Sequence, residues 1–202
     1  MLQTQSVNPK LLELLNKIMK SEVFSDFNLV GGTSLSLQIG HRLSIDIDMF
    51  GNAEIDEIEF INELSKFGKV IIIKKSKNIL ITSIDGIKVD FVNYKYPLLE
   101  SIIVEKNIRL VSKKDIAAMK LNAVSGRGSK KDFIDLFFLL KDFELKEMLT
   151  FYDEKFKDGS SFMVLKSLSY FEDANKEEAP IMLVKNSWEK IKEKIINELD
   201  EI

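Results

Sequence analysis

The chain has 202 residues, of which 45% are apolar and 30% charged, and its formal net charge is −3. This composition excludes a disordered chain and fits one large domain, or a catalytic domain with a helical extension. With no cysteine and one histidine, His41, the chain has no means of forming disulfides, thiolate metal sites or multi-histidine zinc centres. A bound metal would therefore be a hard cation held by oxygen, Mg²⁺ or Mn²⁺. Because there is no signal-peptide pattern and no long uncharged apolar run, we expect a cytoplasmic protein without a membrane partner.

The first half of the chain alternates between helical and strand patterns, separated by caps and glycine turns. Asn8-Pro9 begins the first helix, with Asn8 as the cap and Pro9 in the first turn. The pattern then predicts, in chain order, a strand at 27–30, a glycine turn at 31–32, a short helix capped by Thr33, a strand at 45–50 and a helix at 55–67.

Strand patterns continue at 69–75, 78–84, 87–94 and 108–111, with the hairpin dipeptide Asp85-Gly86 between the second and third. After residue 111 only helical patterns follow, and Ser112-x-x-Asp115 and Ser129-x-x-Asp132 are typical of helix starts. The sequence therefore predicts an α+β fold. We expect a mixed sheet flanked by helices over residues 1–111 and a helical bundle over residues 112–202.

Three aspartates in the first half of the chain suggest a metal site. Because side chains alternate along a strand, Asp46 and Asp48 should share one face while Ile45 and its alternate neighbours point into the core. Asp90 repeats this pattern on a later strand. Three carboxylates on neighbouring strands are what metal-assisted phosphoryl transfer requires, although the same pattern also fits the solvated face of a half-covered sheet.

The glycine turn favours the catalytic interpretation. Gly31-Gly32-Thr33 stands between a strand and a helix, where backbone amides can approach phosphate oxygens. A glycine turn, a helix, an Asp-x-Asp strand and a third aspartate on a later strand together resemble the DNA polymerase β-like nucleotidyltransferases.

Two longer stretches, GGTSLSLQIGHRLSIDIDMF and KLNAVSGRGSKKDFIDLFFLL, resemble the AbiEii/AbiGii toxin family of nucleotidyltransferases over roughly residues 28–140. The resemblance implies that the N-terminal domain is catalytic and that the helical domain contributes nucleotide-binding residues. It implies a phosphate turn at Gly31, Gly32 and Thr33 and metal aspartates at Asp46 and Asp48. It also implies a nucleotide-binding motif at Lys120, Arg127, Asp132 and Asp135. Since Gly32 replaces a serine common in the superfamily, the hydroxyl at the phosphates is expected on Thr33 or Ser34.

The second motif also has a physical interpretation. The stretch from Lys113 to Lys131 is locally basic, which fits a triphosphate clamp extended to an RNA backbone, or a solvated helix surface. Asp135 lies among apolar residues and needs a cationic partner, for which Lys120 and Arg127 are the candidates. In the first motif, Arg42 is expected either to meet a phosphate or to brace an aspartate, and His41 to be structural.

These patterns lead to one main functional hypothesis. We expect a metal-dependent enzyme that transfers a nucleoside monophosphate from a nucleoside triphosphate to an acceptor hydroxyl, with Asp46, Asp48, Asp90 and Lys120 as catalytic residues. By resemblance, the acceptor would be tRNA or another RNA, and the protein would be the toxin of a toxin–antitoxin or phage-defence system with a cognate antitoxin. The alternatives are transfer to a small molecule or protein, and a non-catalytic module that binds nucleotide or antitoxin, against which the complete acidic triad argues.

Overall fold

The structure is a computed structural model that describes residues 1–202 and forms two compact units. The first, which we call the sheet unit, comprises Met1–Tyr96 and Ile102–Val111, and the second, the helical unit, comprises Pro97–Ser101 and Ser112–Ile202. Both helices and strands are present in quantity, so the predicted α+β class is confirmed. No helix combines the length and the apolar character needed to cross a lipid bilayer.

The sheet unit holds every strand of the molecule. Its helices are α1 (Pro9–Lys20), α2 (Gly31–Ile39) and α3 (Glu57–Ser65), with 3-10 turns at Thr4–Ser6 and Glu22–Phe24. Its strands are β1 (Asn28–Leu29), β2 (Ile47–Gly51), β3 (Val70–Ser76), β4 (Ile79–Ile84), β5 (Ile87–Asn93), β6 (Ile103–Glu105) and β7 (Ile108–Leu110). They form one mixed sheet in the order β3-β4-β5-β2-β1-β7-β6, in which β2 pairs with β5 in parallel.

Local sequence signals fix several of these elements. The Asn8 side chain accepts a hydrogen bond of 2.7 Å from the Leu11 amide, and Pro9 stands in the first turn of α1, as predicted. Asp85 and Gly86 both have positive φ, 48° and 88°, the backbone that a two-residue hairpin between β4 and β5 requires. These contacts involve residues only a few positions apart, which is why the sequence alone could predict them.

An aromatic cluster fills the core of the sheet unit and orients β5. Phe91 lies 4.8 Å from Phe24, 5.5 Å from Phe27 and 5.2 Å from Phe60, measured between ring centroids. Because Phe91 faces this core, alternation along β5 turns Asp90 to the opposite face of the sheet.

The strand expected at residues 45–50 begins later than predicted. Ile45 is 68% exposed instead of facing the core, and β2 starts at Ile47. The backbone just before it is bonded elsewhere: the Ser44 amide donates to the Ser6 carbonyl over 2.8 Å, and the Asp46 carbonyl accepts from the Thr33 hydroxyl. Asp46 therefore lies on an extended segment that leads into the sheet and is not part of it.

Two further boundaries differ from the sequence-based expectation. Helix α2 begins at Gly31 with Val30 as its cap, so Thr33 lies inside the helix instead of capping it. Strand β6, which was not predicted, pairs with β7 through a turn at Lys106 and Asn107, both at positive φ. A lysine in that conformation gives no recognisable turn signal in the sequence.

The helical unit is built around α4. Its helices are α4 (Lys113–Gly126), α5 (Lys130–Leu139), α6 (Leu145–Lys155), α7 (Ser161–Leu168), α8 (Glu172–Lys176) and α9 (Trp188–Asp200). Helix α4 packs against α5, α6 and α7, and most of its apolar positions from Ile116 to Val124 are buried. The Ser112 side chain caps α4 by accepting from the Asp115 amide over 3.0 Å, as the sequence predicts.

A buried ion pair ties the segment Pro97–Ser101 to the helical unit. The Lys155 ammonium lies 2.8 Å from the Asp115 carboxylate and 2.6 Å from the Pro97 carbonyl oxygen, and both charged side chains are buried. The same carboxylate accepts the Leu99 amide at 2.9 Å and the Glu100 amide at 3.3 Å. Since each polar group has a partner, the burial of these charges is compensated.

Candidate active site

Asp48 and Asp90 lie side by side on the sheet. They are register partners in the parallel pair β2–β5, and the flanking pairs Ile47–Val89 and Met49–Phe91 are buried in the core. Adjacent strands are about 4.8 Å apart, and residues in register present their side chains on the same face. The two carboxylates therefore project together from the side of the sheet opposite the aromatic core.

Asp46 is positioned differently. It precedes β2 and lies outside the β2–β5 ladder, which begins at the pair Ile47–Val89. No three acidic or histidine side chains are arranged closely enough to hold one metal ion together. The register brings Asp48 and Asp90 together, and the convergence of Asp46 with them in one metal site stays a prediction. The sheet aligns Asp48 with Asp90, whereas Asp46 depends on the segment before the strand.

The glycine turn approaches the acid pair closely. Gly31 has a φ of +67°, and a Cβ atom at this position would lie 2.7 Å from Asp48 Oδ2. The Val30 amide donates to the Asp48 carbonyl over 2.9 Å, which fixes the start of α2 beside β2. A residue with a side chain would collide with the carboxylate and strain the backbone, so glycine is required here. Gly32 follows as the second residue of α2 and is partly buried.

The hydroxyls expected at the phosphates turn into the protein. The buried Thr33 hydroxyl lies 2.7 Å from Ser44 Oγ and donates to the Asp46 carbonyl, and the buried Ser34 hydroxyl accepts from Gln38 over 3.2 Å. The expectation that Thr33 or Ser34 presents its hydroxyl to a phosphate is therefore wrong for this conformation. Thr33 holds the backbone that carries Asp46, a role that depends on tertiary contacts invisible in the sequence.

Two further residues of the first motif, His41 and Arg42, are also buried. The Arg42 guanidinium donates to the Leu43 carbonyl over 3.1 Å. Both roles expected for Arg42, contact with a phosphate and bracing of an aspartate, stay predictions.

Asp90 combines a lysine partner with an unsatisfied oxygen. The Lys88 ammonium pairs with Asp90 Oδ2, while Oδ1 is buried and has no hydrogen-bond partner. Leaving a buried acceptor without a donor costs about 1–3 kcal/mol, so such an atom calls for a ligand. Carboxylate oxygens suit Mg²⁺ or Mn²⁺, and the acid pair therefore fits a hard divalent cation. Lys88 was not singled out from the sequence, although its position two residues before Asp90 on one strand gave the necessary signal.

The second motif forms a charge network inside the helical unit. Lys120 Nζ lies 2.9 Å from Asp132 Oδ1 and 2.6 Å from Asp135 Oδ2, and the Lys120 side chain is 5% exposed. Arg127 donates from Nε to Asp132 Oδ2 over 2.7 Å and from Nη2 to Oδ1 over 2.9 Å. Ser129 Oγ completes the network with a 2.7 Å hydrogen bond to Asp132 Oδ2.

The electrostatics of this network centre on Asp132. Burial by itself would raise the pKa of the Asp132 carboxyl, but the hydrogen bond from Arg127 and the charge of Lys120 outweigh it and hold that pKa well below its usual range. Asp132 is therefore ionised under all physiological conditions. Its carboxylate fixes the orientation of the Arg127 guanidinium.

The members of the network differ in their access to a ligand. Lys120 is enclosed by two carboxylates, so it is the cationic partner that Asp135 needed, and the structure favours this role over contact with a triphosphate. The Arg127 side chain is 60% exposed and is the member that can reach a ligand in solution.

Other lysines of the basic stretch also have partners within the unit. Lys113 pairs with Asp142 over 2.6 Å, and the buried Lys130 donates to the Glu177 carbonyl. The predicted basic clamp is thus reduced to fewer cations than the sequence suggested.

Comparisons with known proteins agree with this arrangement of motifs. The chain matches the family model described as Nucleotidyl transferase AbiEii toxin, Type IV TA system, over residues 13–101 and 87–201. It is 41% identical over 173 residues to an uncharacterised protein of Aquifex aeolicus strain VF5, covering 82% of this chain and 83% of that protein.

Two solved structures share the fold at low sequence identity. A Helicobacter pylori protein regarded as a nucleotidyltransferase aligns with a TM-score of 0.62 and 16% identity, covering 99% of this chain and 95% of that one. The nucleotidyltransferase toxin MenT4 of Mycobacterium tuberculosis H37Rv aligns with a TM-score of 0.52 and 14% identity, covering 95% and 84%. The match to the family model confirms the resemblance recognised in the two sequence motifs.

Proposed function

Because the chain belongs to the AbiEii nucleotidyltransferase family, we propose that this enzyme uses a divalent metal to transfer a nucleoside monophosphate from a nucleoside triphosphate to RNA, with tRNA as the first acceptor to test. The observation that carries the proposal is the parallel register of Asp48 and Asp90, with Gly31 against the Asp48 carboxylate.

Asp48 and Asp90 are the residues that would hold the metal, with Asp46 contributing from the segment before β2. When bound, Mg²⁺ or Mn²⁺ would neutralise triphosphate charge and activate the α-phosphorus as a Lewis acid. The unpaired Asp90 Oδ1 supports this assignment, because it is a buried acceptor with no protein donor. Thr33 and Ser44 act indirectly by fixing the backbone at Asp46.

In the reaction, the acceptor hydroxyl oxygen forms a bond to the α-phosphorus while the bond to pyrophosphate breaks, and pyrophosphate leaves with the electron pair. Asp90 orients the hydroxyl and takes its proton, a role suited to a carboxylate at the reacting centre. The turn at Gly31 brings the first amides of α2 to this place, where their partial positive charge favours phosphate oxygens.

The helical unit contributes the nucleotide-binding residues, with Arg127 as the contact to the triphosphate. Asp132 positions its guanidinium, and Lys120 with Asp135 balances the charge beneath it. An arginine held by a carboxylate loses less side-chain freedom on binding, which favours phosphate recognition.

The family name describes a toxin of a toxin–antitoxin system, and MenT4, which shares the fold, is also described as a nucleotidyltransferase toxin. We therefore propose that this protein acts as a toxin whose effect is countered by a cognate antitoxin. Modification of tRNA would explain toxicity directly, since a tRNA with a blocked end cannot serve translation.

The test is incubation of the protein with each α-labelled nucleoside triphosphate, Mg²⁺ and total tRNA, followed by gel separation. Label on tRNA from the wild type, lost in Asp48→Asn and retained in the exposed acidic control Glu54→Gln, supports the proposal. Label on a small molecule or on protein would show that the acceptor is that molecule and not RNA. No transfer to any acceptor by a folded, nucleotide-binding protein would argue for a non-catalytic module.

A further inference from the structure

Lys88 stands on β5 beside the carboxylates of the proposed metal site. It shares a face of the strand with Asp90, two residues later, and its ammonium pairs with Asp90 Oδ2. In the register of the sheet, Asp90 lies opposite Asp48, next to the first pair of the ladder, Ile47–Val89. The Lys88 ammonium therefore stands on the same strand face as Asp90, one carboxylate of the acid pair.

The ammonium pairs with a carboxylate that the proposed metal would also have to contact. Two aspartates on adjacent strands repel each other when both are ionised, and a nearby positive charge relieves that repulsion. Lys88 supplies this charge from within the protein, and it contacts the same carboxylate that a metal would require. The Asp90 side chain is 15% exposed, so its charge is poorly solvated and needs such a partner.

The side chain of Lys88 is also able to leave. It is 41% exposed, and its four-carbon stem allows the ammonium to move into solvent at little cost in hydration. A divalent ion offers twice the charge and can coordinate both Asp48 and Asp90.

We propose that Lys88 is an internal counter-cation of the acid pair, which a divalent metal displaces when it binds. Lys88 is thus a positioning residue that sets how tightly the metal is held. The inference rests on the proposed function, because it assumes that Asp48 and Asp90 hold the metal.

To test the displacement directly, metal-free protein without nucleotide is titrated with Mn²⁺, and the concentration of free Mn²⁺ is measured by its electron paramagnetic resonance signal. Lys88→Met keeps the length of the side chain and removes the charge, so Mn²⁺ should bind on the order of tenfold more tightly than to wild type. The matched control is Lys75→Met, which removes a lysine that pairs over 2.6 Å with Glu57 and lies on β3, two strands away from β5. This control should bind Mn²⁺ as the wild type does.

A second measurement needs no metal. In a chelator, Lys88→Met should melt at a lower temperature than Lys75→Met, because Asp90 has lost its partner, and Mn²⁺ should restore more of the loss in Lys88→Met. If Lys88→Met does not fold, Lys88→Gln, which retains polar contacts, takes its place in both measurements.

The outcomes separate the two hypotheses. If the wild type binds Mn²⁺ and the Lys88 variant binds it equally or more weakly, the displacement of Lys88 by metal is wrong, but the proposed function is unaffected. Folded wild type and variants that all fail to bind Mn²⁺ overturn the displacement and the metal dependence together.

Discussion

The two units of this protein differ in how completely their buried charged groups are paired. In the helical unit, Lys120 lies between Asp132 and Asp135 at 2.9 and 2.6 Å, and Arg127 and Ser129 supply further donors to Asp132. In the sheet unit, two carboxylates stand side by side by register, and one oxygen of Asp90 has no donor at all.

The difference shows how structural and functional charges can be told apart. A network whose buried donors and acceptors match contributes to stability, and only its exposed member, Arg127, can meet a ligand. Like charges held together by a rigid sheet, with an acceptor left over, lower stability unless something binds, and such an arrangement marks a functional site. The acid pair should therefore respond to substitution through activity, and the network through folding.

The largest expected effect is on activity in the sheet unit. Asp48→Asn should lower the rate of nucleotidyl transfer by about three orders of magnitude or more, since metal stabilisation of the transition state is worth several kcal/mol. The free energy of unfolding without metal should stay unchanged or rise slightly, because one of two repelling charges is gone. Labelled-nucleotide assays and urea unfolding measure the two quantities. If Asp48→Asn fails to fold while Glu54→Gln does fold, the acid pair would be structural, contrary to the comparison.

In the helical unit the order should reverse. Lys120→Ala leaves Asp132 and Asp135 facing each other in the interior, and removing one partner of a buried ion pair costs about 3–5 kcal/mol. Thermal unfolding without ligand should reveal this loss, whereas Lys113→Ala, whose pair with Asp142 is largely exposed, should cost about 1 kcal/mol or less. An unchanged melting temperature combined with a lost nucleotide-induced shift would instead make Lys120 a phosphate contact.

Arg127 belongs to the network of the helical unit and is also the residue proposed to bind the triphosphate. Arg127→Met should weaken nucleoside triphosphate binding by about 1.5–3 kcal/mol, the range for hydrogen bonds to charged groups. Its effect on stability should be smaller than that of Lys120→Ala, because the Arg127 side chain is 60% exposed. Calorimetric titration with a non-hydrolysable triphosphate measures the affinity. Lys131→Ala, an exposed change in the same stretch, serves as the control, and equal affinities in both variants would remove Arg127 from the nucleotide site.

The smallest expected effect is a dependence of stability on pH. Since the pKa of Asp132 is lowered in the folded protein, chiefly because Arg127 and Lys120 outweigh the effect of burial, its contribution is fully present above the ordinary aspartate pKa. That contribution, on the order of 2 kcal/mol, should disappear as the pH falls from about 4 toward the lowered value.

Urea unfolding of wild type and Asp132→Asn between pH 7 and pH 3 tests this dependence. The variant should be less stable at neutral pH and should lose less stability on acidification. Parallel curves for the two proteins would mean that Asp132 is not the carboxylate responsible.

Sequence signals were most informative where the determining contacts are local. The Asn8 cap, the Asp85-Gly86 hairpin and the mixed class of the fold each depend on residues close together in the chain or on periodicity. The two long motifs sufficed to recognise the family that the comparisons confirm. Strand alternation also indicated the face of β5 that carries Asp90.

The remaining features depend on contacts between distant residues. Strand β2 begins only at Ile47, because the carbonyl of Asp46 accepts a hydrogen bond from the Thr33 hydroxyl, thirteen residues away. The same contact explains why Thr33 is unavailable to a phosphate. The sequence left Lys120 open between contact with a triphosphate and pairing with Asp135, because a lysine in a helix gives no sign of whether it is buried.

The Asp115–Lys155 pair has a consequence for how this molecule can be divided. Because it holds the amides of Leu99 and Glu100, the chain passes from the sheet unit to the helical unit, back for β6 and β7, and across again at Ser112. No single cut separates the units. A fragment ending at residue 111 would contain the amides of Leu99 and Glu100 without their acceptor, Asp115. A fragment beginning at residue 112 would bury the Asp115 carboxylate without these two donors. Exchanging one unit for that of a relative would therefore require two junctions in addition to the one at Ser112.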